Sequence, residues 1–249
     1  MTQFAIYPSL KNEAVIVTGG ASGIGASIVE HFAEQGARVG FVDIDEKAGR
    51  ALATKTGATF VACDLRNIEA LRAAIARFER DNGPTLALIN NAARDDRHVI
   101  EEVTPEYWDD RMATNLRHQF FAAQAVLPAM RERKRGSLIN MGSISWRLSL
   151  GGMPAYVTAK AAIEGLTRGL ARDVGPDGIR ANCLVPGWIM TERQIELWLT
   201  PEGEADLLAR QCLKEKLYPP DIARMALWLA ADDSRMVTAQ SFVIDGGWA

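Results

Sequence analysis

The chain has 249 residues, 48 % of them hydrophobic, and a formal net charge of -3. That is enough apolar content for a substantial core, with no basic excess to meet a phosphate backbone or an anionic lipid surface, so neither nucleic acid nor membrane is an expected partner. Three scattered cysteines (Cys63, Cys183, Cys212) and three histidines supply neither a disulfide framework nor a cluster of metal ligands, and no metal is expected.

In chain order, the opening MTQFAIYPSLKN lacks the basic start and apolar run of a signal peptide, and no later segment reaches the roughly 18 uninterrupted apolar residues of a spanning helix. A cytoplasmic protein is the expectation. Short β-branched runs then alternate with longer stretches of helical apolar spacing. Strands are expected at Ala14–Thr18, Arg38–Asp43, Thr59–Cys63, Thr85–Asn90, Gly136–Met141, Arg180–Val185 and Ser241–Asp245, and helices near 24–35, 67–81, 105–133, 155–174 and 221–230. Strands without polar alternation, each followed by a helix, imply an α/β fold: a doubly wound parallel sheet with helices on both faces. No linker or repeat divides the chain, so one domain is expected over 1–249. The stretch 188–216 breaks the rhythm with Trp198, Pro201 and Gly203, and reads as a lid over the carboxyl ends of the strands, where open α/β sheets bind ligands.

Directly after the first expected strand comes TGGASGIG, Thr18 to Gly25, opening a helix. Glycines at such a turn let the backbone approach a pyrophosphate while free N–H groups of the helix start point at its oxygens. A glycine-rich turn alone is weak evidence. Here the strand precedes it, the helix follows, and Asp43 closes the next strand, where a carboxylate can accept both ribose hydroxyls and repel a 2′-phosphate. With Ile44 and Ala21 nearby and no adjacent Arg or Lys, NAD is favoured over NADP. The alternative is a capping or solvated Asp43.

In PAYVTAK, Tyr156 and Lys160 stand four residues apart, on one face if the stretch is helical. A cation there would favour the phenolate. Taken alone, such a pair is more often a chance arrangement on a helix surface. Its context is TGGASGIG, then Asn90-Asn91-Ala92, Asn115, Ser143, Tyr156-x-x-x-Lys160 and Pro186-Gly187, in that order. This ordered set resembles the signature of the short-chain dehydrogenase/reductase family over nearly the whole chain. One departure is Ala93, where the family usually has glycine.

The resemblance implies a Rossmann-type fold with a seven-stranded parallel sheet and a catalytic set of Asn115, Ser143, Tyr156 and Lys160. Tyr156 would be the general base. A free tyrosine, near pKa 10, is protonated at neutral pH, and Lys160 and an oxidised nicotinamide would lower it. Ser143 would hydrogen-bond the reacting oxygen, or alternatively serve only as a cap or turn residue. Asn115 would hold a water relaying protons from Lys160, or be a buried structural amide. Cofactor contacts implied are Gly19, Ser22, Gly23, Ile24 and Gly25 at the turn, Asp43 at the ribose, and Asp64 and Leu65 at the adenine. Asn91 and Ala92 would border the ribose, Ile189 and Thr191 would contact the nicotinamide carboxamide, and Tyr156, Lys160 and Pro186 would complete the cofactor contacts. A homotetramer is also implied, with the helices of 101–133 and 154–174 as interface elements.

The stretches IYPSL, DDRH, NLRH, GSISW and TPEGEA are similar to bacterial aldose 1-dehydrogenases of the D-xylose and L-arabinose type within that family. A sugar needs several hydrogen-bond partners, and Arg94, Asp96, Arg97, His98, Ser143, Ser145 and Tyr156 are candidates, with Trp146 or Trp188 stacking on an apolar sugar face. The same charges could instead form surface ion pairs. The expected reaction is NAD-dependent oxidation of an aldopentose at C1 to the aldonolactone. A 3-oxoacyl or small-ketone reductase is the alternative enzyme, and a non-catalytic nucleotide-sensing Rossmann protein the alternative outside enzymes.

Overall fold

The computed structural model describes residues 4–249; Met1 to Gln3, the first of the residues examined for a targeting signal, lie outside the described residues. Seven parallel strands form one sheet: β1 (Ala14–Thr18), β2 (Arg38–Asp43), β3 (Thr59–Ala62), β4 (Thr85–Asn90), β5 (Gly136–Met141), β6 (Ile179–Pro186) and β7 (Ser241–Ile244). Their spatial order is β3-β2-β1-β4-β5-β6-β7. The direction of winding reverses between β1 and β4, which opens a crevice at their carboxyl ends. This is the expected Rossmann-type α/β architecture.

The helices are α1 (Gly23–Glu34), α2 (Glu46–Thr56), α3 (Ile68–Asn82), α4 (Pro105–Met112), α5 (His118–Arg133), α6 (Pro154–Val174), α7 (Glu192–Leu197), α8 (Pro201–Arg210) and α9 (Pro219–Ala230). Successive strand residues point to opposite faces, so each strand feeds two cores. Val15 and Val17 pack with Ile28 and Phe32 of α1 and Ile222 and Leu229 of α9. Ile16 packs on the other face with Leu71 and Phe78 of α3, Val126 of α5 and Leu170 of α6. This burial on both faces is why the strands lack polar alternation.

The helix expected over 105–133 is divided. Between α4 and α5, residues Ala113–Arg117 form a π turn, and Asn115 lies at its centre, fully buried. Widening the turn by one residue displaces the local hydrogen-bond ladder and is frequent at functional positions. The sequence reading also passes over α2, which Asp45 caps by accepting the Ala48 N–H and Gly57 ends in the left-handed conformation. Strand ends shift by one residue: β3 stops at Ala62, β7 stops at Ile244, and β6 extends from Ile179 to Pro186.

Candidate active site

The glycine turn is built for close approach. Gly19 and Gly23 have φ of +63° and +54°, which side-chain-bearing residues rarely adopt, and a Cβ on Gly25 would lie 1.9 Å from the Gly19 carbonyl oxygen. The first intrahelical bond of α1 runs from the Ala26 N–H to the Ser22 carbonyl, so the N–H groups of Gly23, Ile24 and Gly25 have no partner within the helix. Ser22 occupies the cap position with no side-chain cap bond, whereas Asp45, Asn67 and Thr104 cap α2, α3 and α4. The uncapped start and the space where a Cβ would stand fit a dinucleotide pyrophosphate.

Thr18, absent from the expected site, ties this turn to the next loop. Its hydroxyl accepts the N–H groups of Asn91 and Ala92 at 3.1 and 3.2 Å, while the Asn91 amide donates to the carbonyls of Thr18 and Gly19 at 3.1 and 2.8 Å. Asp43 accepts the Ala21 N–H at 2.9 Å through one oxygen and the Asp45 N–H at 3.0 Å through the other. It therefore holds the turn while its remaining lone pairs stay available to a ribose. Asp64 is gripped by Arg66, which also reaches Asp110, and Leu65 is buried in the core. Ala93 is exposed and has no positive φ, so its methyl is accommodated without strain. From the other side Thr191 leans over Gly23, its Cγ2 3.1 Å from where a Cβ would be, and its hydroxyl caps α7 through the Gln194 N–H. Ile189, at the end of the run begun by Pro186 in β6, is buried at the same crevice.

On the floor, α6 starts at Pro154, where the missing N–H costs little. Its first turn is fixed by His98, a candidate sugar partner that here serves the fold: Nε2 accepts the Ala155 N–H at 3.4 Å while Nδ1 lies 3.1 Å from the Tyr107 hydroxyl. Lys160 is buried, donates to the Met141 carbonyl at 2.7 Å and lies 5.5 Å from the Tyr156 ring centre. Burial lowers it to about 8, with Cys183 and Asp95 opposing. Asn115 Oδ1 accepts the Arg94 N–H at 2.8 Å, and its Nδ2 is buried with no partner. His118 is buried near Lys160 with Nε2 3.1 Å from the Ala92 carbonyl; burial first, then the Lys160 charge, lower it to about 4.

Around Tyr156 the chain's own groups act against the phenolate. Packing around the phenol, and then the Asp95 charge, push it up to about 12, against the smaller opposing effects of the Ser143 hydroxyl and Arg97. The chain's own residues leave it protonated at neutral pH, because the desolvation of a phenolate outweighs the Arg97 charge and the Ser143 hydrogen bond. Ser143 lies beside this phenol and also accepts the Ser145 N–H at 3.2 Å, so it caps the turn that follows β5.

The rim sorts the expected sugar ligands. Asp96 is occupied by Arg94, Arg111 and Arg193 at 3.4, 2.5 and 3.0 Å, which is the surface ion-pair reading. Arg94 is half-exposed in that cluster and serves the site through its main-chain N–H. The neighbouring Asp95, not among the expected ligands, is the carboxylate that acts on Tyr156. Trp146 is 36 % exposed, with its indole N–H on Glu164, two turns along α6 from Tyr156. Trp188 donates to Gln194 at 2.9 Å, and Ser145 is buried with an unpartnered hydroxyl. The 188–216 stretch leaves and rejoins the fold at a parallel bridge between Ile189 and Leu217. Burial pushes Cys63 and Cys183 up to about 11 and about 12, as expected of inert core thiols.

Residues 19–249 match the family described as Enoyl-(Acyl carrier protein) reductase. The chain is 49 % identical over 249 residues to a D-xylose 1-dehydrogenase of Caulobacter vibrioides, spanning 98 % of both chains. It is 50 % identical over 247 residues to a protein of Rhizobium meliloti assigned as a galactose dehydrogenase, spanning 97 % of this chain and 96 % of that one. A crystal structure from Agrobacterium tumefaciens, assigned as a gluconate dehydrogenase, superposes with a TM-score of 0.92 at 28 % identity over 98 % of each chain.

Proposed function

The chain belongs to the short-chain dehydrogenase/reductase family and is an oxidoreductase acting on CH–OH donors with a nicotinamide cofactor, and from this we propose that it oxidises an aldose at C1, with NAD as acceptor. The substrate is an aldopentose such as D-xylose or L-arabinose, and the product is its aldonolactone. One observation carries this reading: the Tyr156 phenol, with Ser143 beside it and Lys160 behind, lies near the charges of Asp95 and Arg97, and Gln194 holds Asp95. Such a setting suits a substrate with several hydroxyls and opposes the apolar channel that a 3-oxoacyl reductase would need.

The glycine turn of Gly19, Ser22, Gly23, Ile24 and Gly25 would hold the pyrophosphate, and Asp43 the adenosine ribose. Asp64 and Leu65 would border the adenine; Asn91, Ala92, Pro186, Ile189 and Thr191 would border the nicotinamide half. Bound NAD supplies the hydride acceptor and, in its oxidised form, a positive ring. Tyr156 takes the C1 hydroxyl proton as the C–H bond gives up its hydride. Ser143 orients the reacting oxygen. Lys160, mostly charged at neutral pH, stabilises the phenolate, and Asn115 leads its proton outward. The 188–216 lid covers the substrate. An exposed Phe120, at 42 %, lines an apolar groove with Met112, Leu116, Phe121, Ala162 and Leu166, which supports the homotetramer reading through α5 and α6. No helix among the described residues is long and apolar enough to cross a membrane, in keeping with a cytoplasmic assignment.

The test is NADH absorbance with purified protein against D-xylose, L-arabinose, D-galactose and a set of secondary alcohols, repeated with NADP. Turnover of aldoses with NAD is expected. Activity confined to hydroxyacyl thioesters, or dependent on NADP alone, would overturn the substrate or the cofactor assignment respectively.

A further inference from the structure

Two neighbouring carboxylates on the loop after β4 are engaged in different ways. Asp96 is satisfied by three arginines on its outer side. Asp95 is held mainly by a neutral amide: Oδ2 accepts Gln194 Nε2 at 2.8 Å, and Oδ1 has only a long 3.4 Å contact from Arg193. Gln194 in turn accepts the Trp188 indole N–H at 2.9 Å. The chain Trp188–Gln194–Asp95 thus runs from the end of β6, through the first lid helix, to the loop after β4. That loop is fixed on its catalytic side by the Arg94 N–H on Asn115 and by the His98 imidazole on α6. An unpartnered, 3 % exposed Ser145 hydroxyl lies two residues from Ser143 on the same wall.

We propose that Asp95 is the specificity-determining carboxylate of this enzyme, accepting the hydroxyl on the carbon next to the reacting one, with Gln194 as the lid amide that fixes it in place. The proposal rests on the aldose reading above. A carboxylate has about four lone-pair positions, and Gln194 and Arg193 occupy two, so a sugar hydroxyl can be received without breaking the lid contact. The placement also has a catalytic cost that only substrate removes. A negative charge beside the phenol opposes its deprotonation. A hydroxyl donated to Asp95 draws that charge away from Tyr156, so a substrate carrying the neighbouring hydroxyl is bound and also makes the base easier to form. An alcohol lacking it leaves the opposing charge in force. The charged and titratable groups facing Asp95 are Arg193 on α7 and Tyr156 and Lys160 on α6, and Arg97 on the same loop faces the phenol.

The experiment measures kcat/KM with NAD for D-xylose and D-galactose, each beside its 2-deoxy analogue, in the wild type and in Asp95→Asn. Loss of a hydrogen bond to a charged group predicts a fall of roughly 10- to 100-fold for the parent sugar. The 2-deoxy analogue, already poor with the wild type, is expected to change less than threefold or to improve, and the acid limb of its pH–rate profile to move to lower pH. Gln194→Ala should raise KM for the parent sugar and leave that acid limb in place. Equal losses for parent and deoxy sugars, or no loss for either, would overturn the proposal. Far-ultraviolet circular dichroism and NADH binding establish that each variant is folded. If the folded wild type oxidises other alcohols and no aldose, the aldose reading fails and the proposal falls with it; if the wild type discriminates between parent and deoxy sugar and Asp95→Asn does so equally, only the proposal fails.

Discussion

Gly25→Ala converts the geometry of the nucleotide turn into a measurable loss. A methyl on Gly25 would stand 1.9 Å from the Gly19 carbonyl oxygen and 2.7 Å from Asn91 Nδ2, so relief to a 3.0 Å contact requires the carbonyl to move by 3.0 − 1.9 = 1.1 Å. Retreat is blocked, because Gly19 is itself packed so closely on Ala92 that its own Cβ would come within 2.7 Å of the Ala92 Cα. Movement also strains the 2.8 Å bond from Asn91 to the Gly19 carbonyl. Overpacking costs about 1–3 kcal/mol and a lost hydrogen bond about 1, giving about 2–4 kcal/mol in all. If even ~2 kcal/mol of this is felt by the bound cofactor, its Kd rises about 30-fold. Titrating tryptophan fluorescence with NADH reads the affinity, and a thermal melt of the apoprotein should fall by about 5–10 °C. A Kd within threefold of wild type together with an unchanged melt would refute the proposed role of this turn.

Tyr156→Phe should lower turnover by about 10²–10⁴-fold, the range of a general base, while NADH affinity stays within a few-fold; retained turnover would remove Tyr156 from the mechanism. His118, held near 4 in the folded chain against an ordinary value of 6.5, stays neutral where the unfolded chain takes up a proton, so its contribution to stability is intact above about 6.5 and is lost as pH falls toward 4. Urea unfolding at pH 7.5 and 4.5 should show this as about 2–3 kcal/mol. His118→Gln, which keeps a donor for the Ala92 carbonyl, should remove most of that dependence, and an unchanged pH slope would count against the assignment. Gly169, exposed inside α6, has nothing within 4 Å of where a Cβ would lie. Gly169→Ala should therefore stabilise by about 0.5–1 kcal/mol and raise Tm by about 1–4 °C, a lower Tm being the contrary result.

What could be read from the sequence divides along physical lines. Runs such as AVIVT and TLALIN announce strands because every residue in them is buried on one face or the other. The helix α2 was missed because its buried side amounts to Gly49 and Leu52, although the Asp45 cap and Gly57 end were visible signals. Thr191 and Thr200 likewise cap the two lid helices, whose exposed faces carry no strong apolar period. The π turn at Asn115 changes the hydrogen-bond register, which side-chain spacing does not record. Which of Asp95 and Asp96 faces the phenol depends on the path of one loop. Thr18, His98 and His118 act through contacts between distant parts of the chain that residue spacing does not record. The upward push that packing gives Tyr156 has no signature in the sequence, because desolvation depends on the surroundings of the ring and a four-residue spacing conveys only proximity.

The bridge between Ile189 and Leu217 has an implication for how such a protein can diverge. It clamps the two ends of the lid to each other at the sheet's edge, so the chain between them is a closed excursion whose length has little bearing on the pairing of β6 with β7. Doubling a flexible loop of this sort costs only about 0.6 kcal/mol of closure entropy. Segments of different length and composition can therefore be exchanged above the clamp, altering which molecules are admitted, while the glycine turn and the Tyr156 helix below are inherited unchanged.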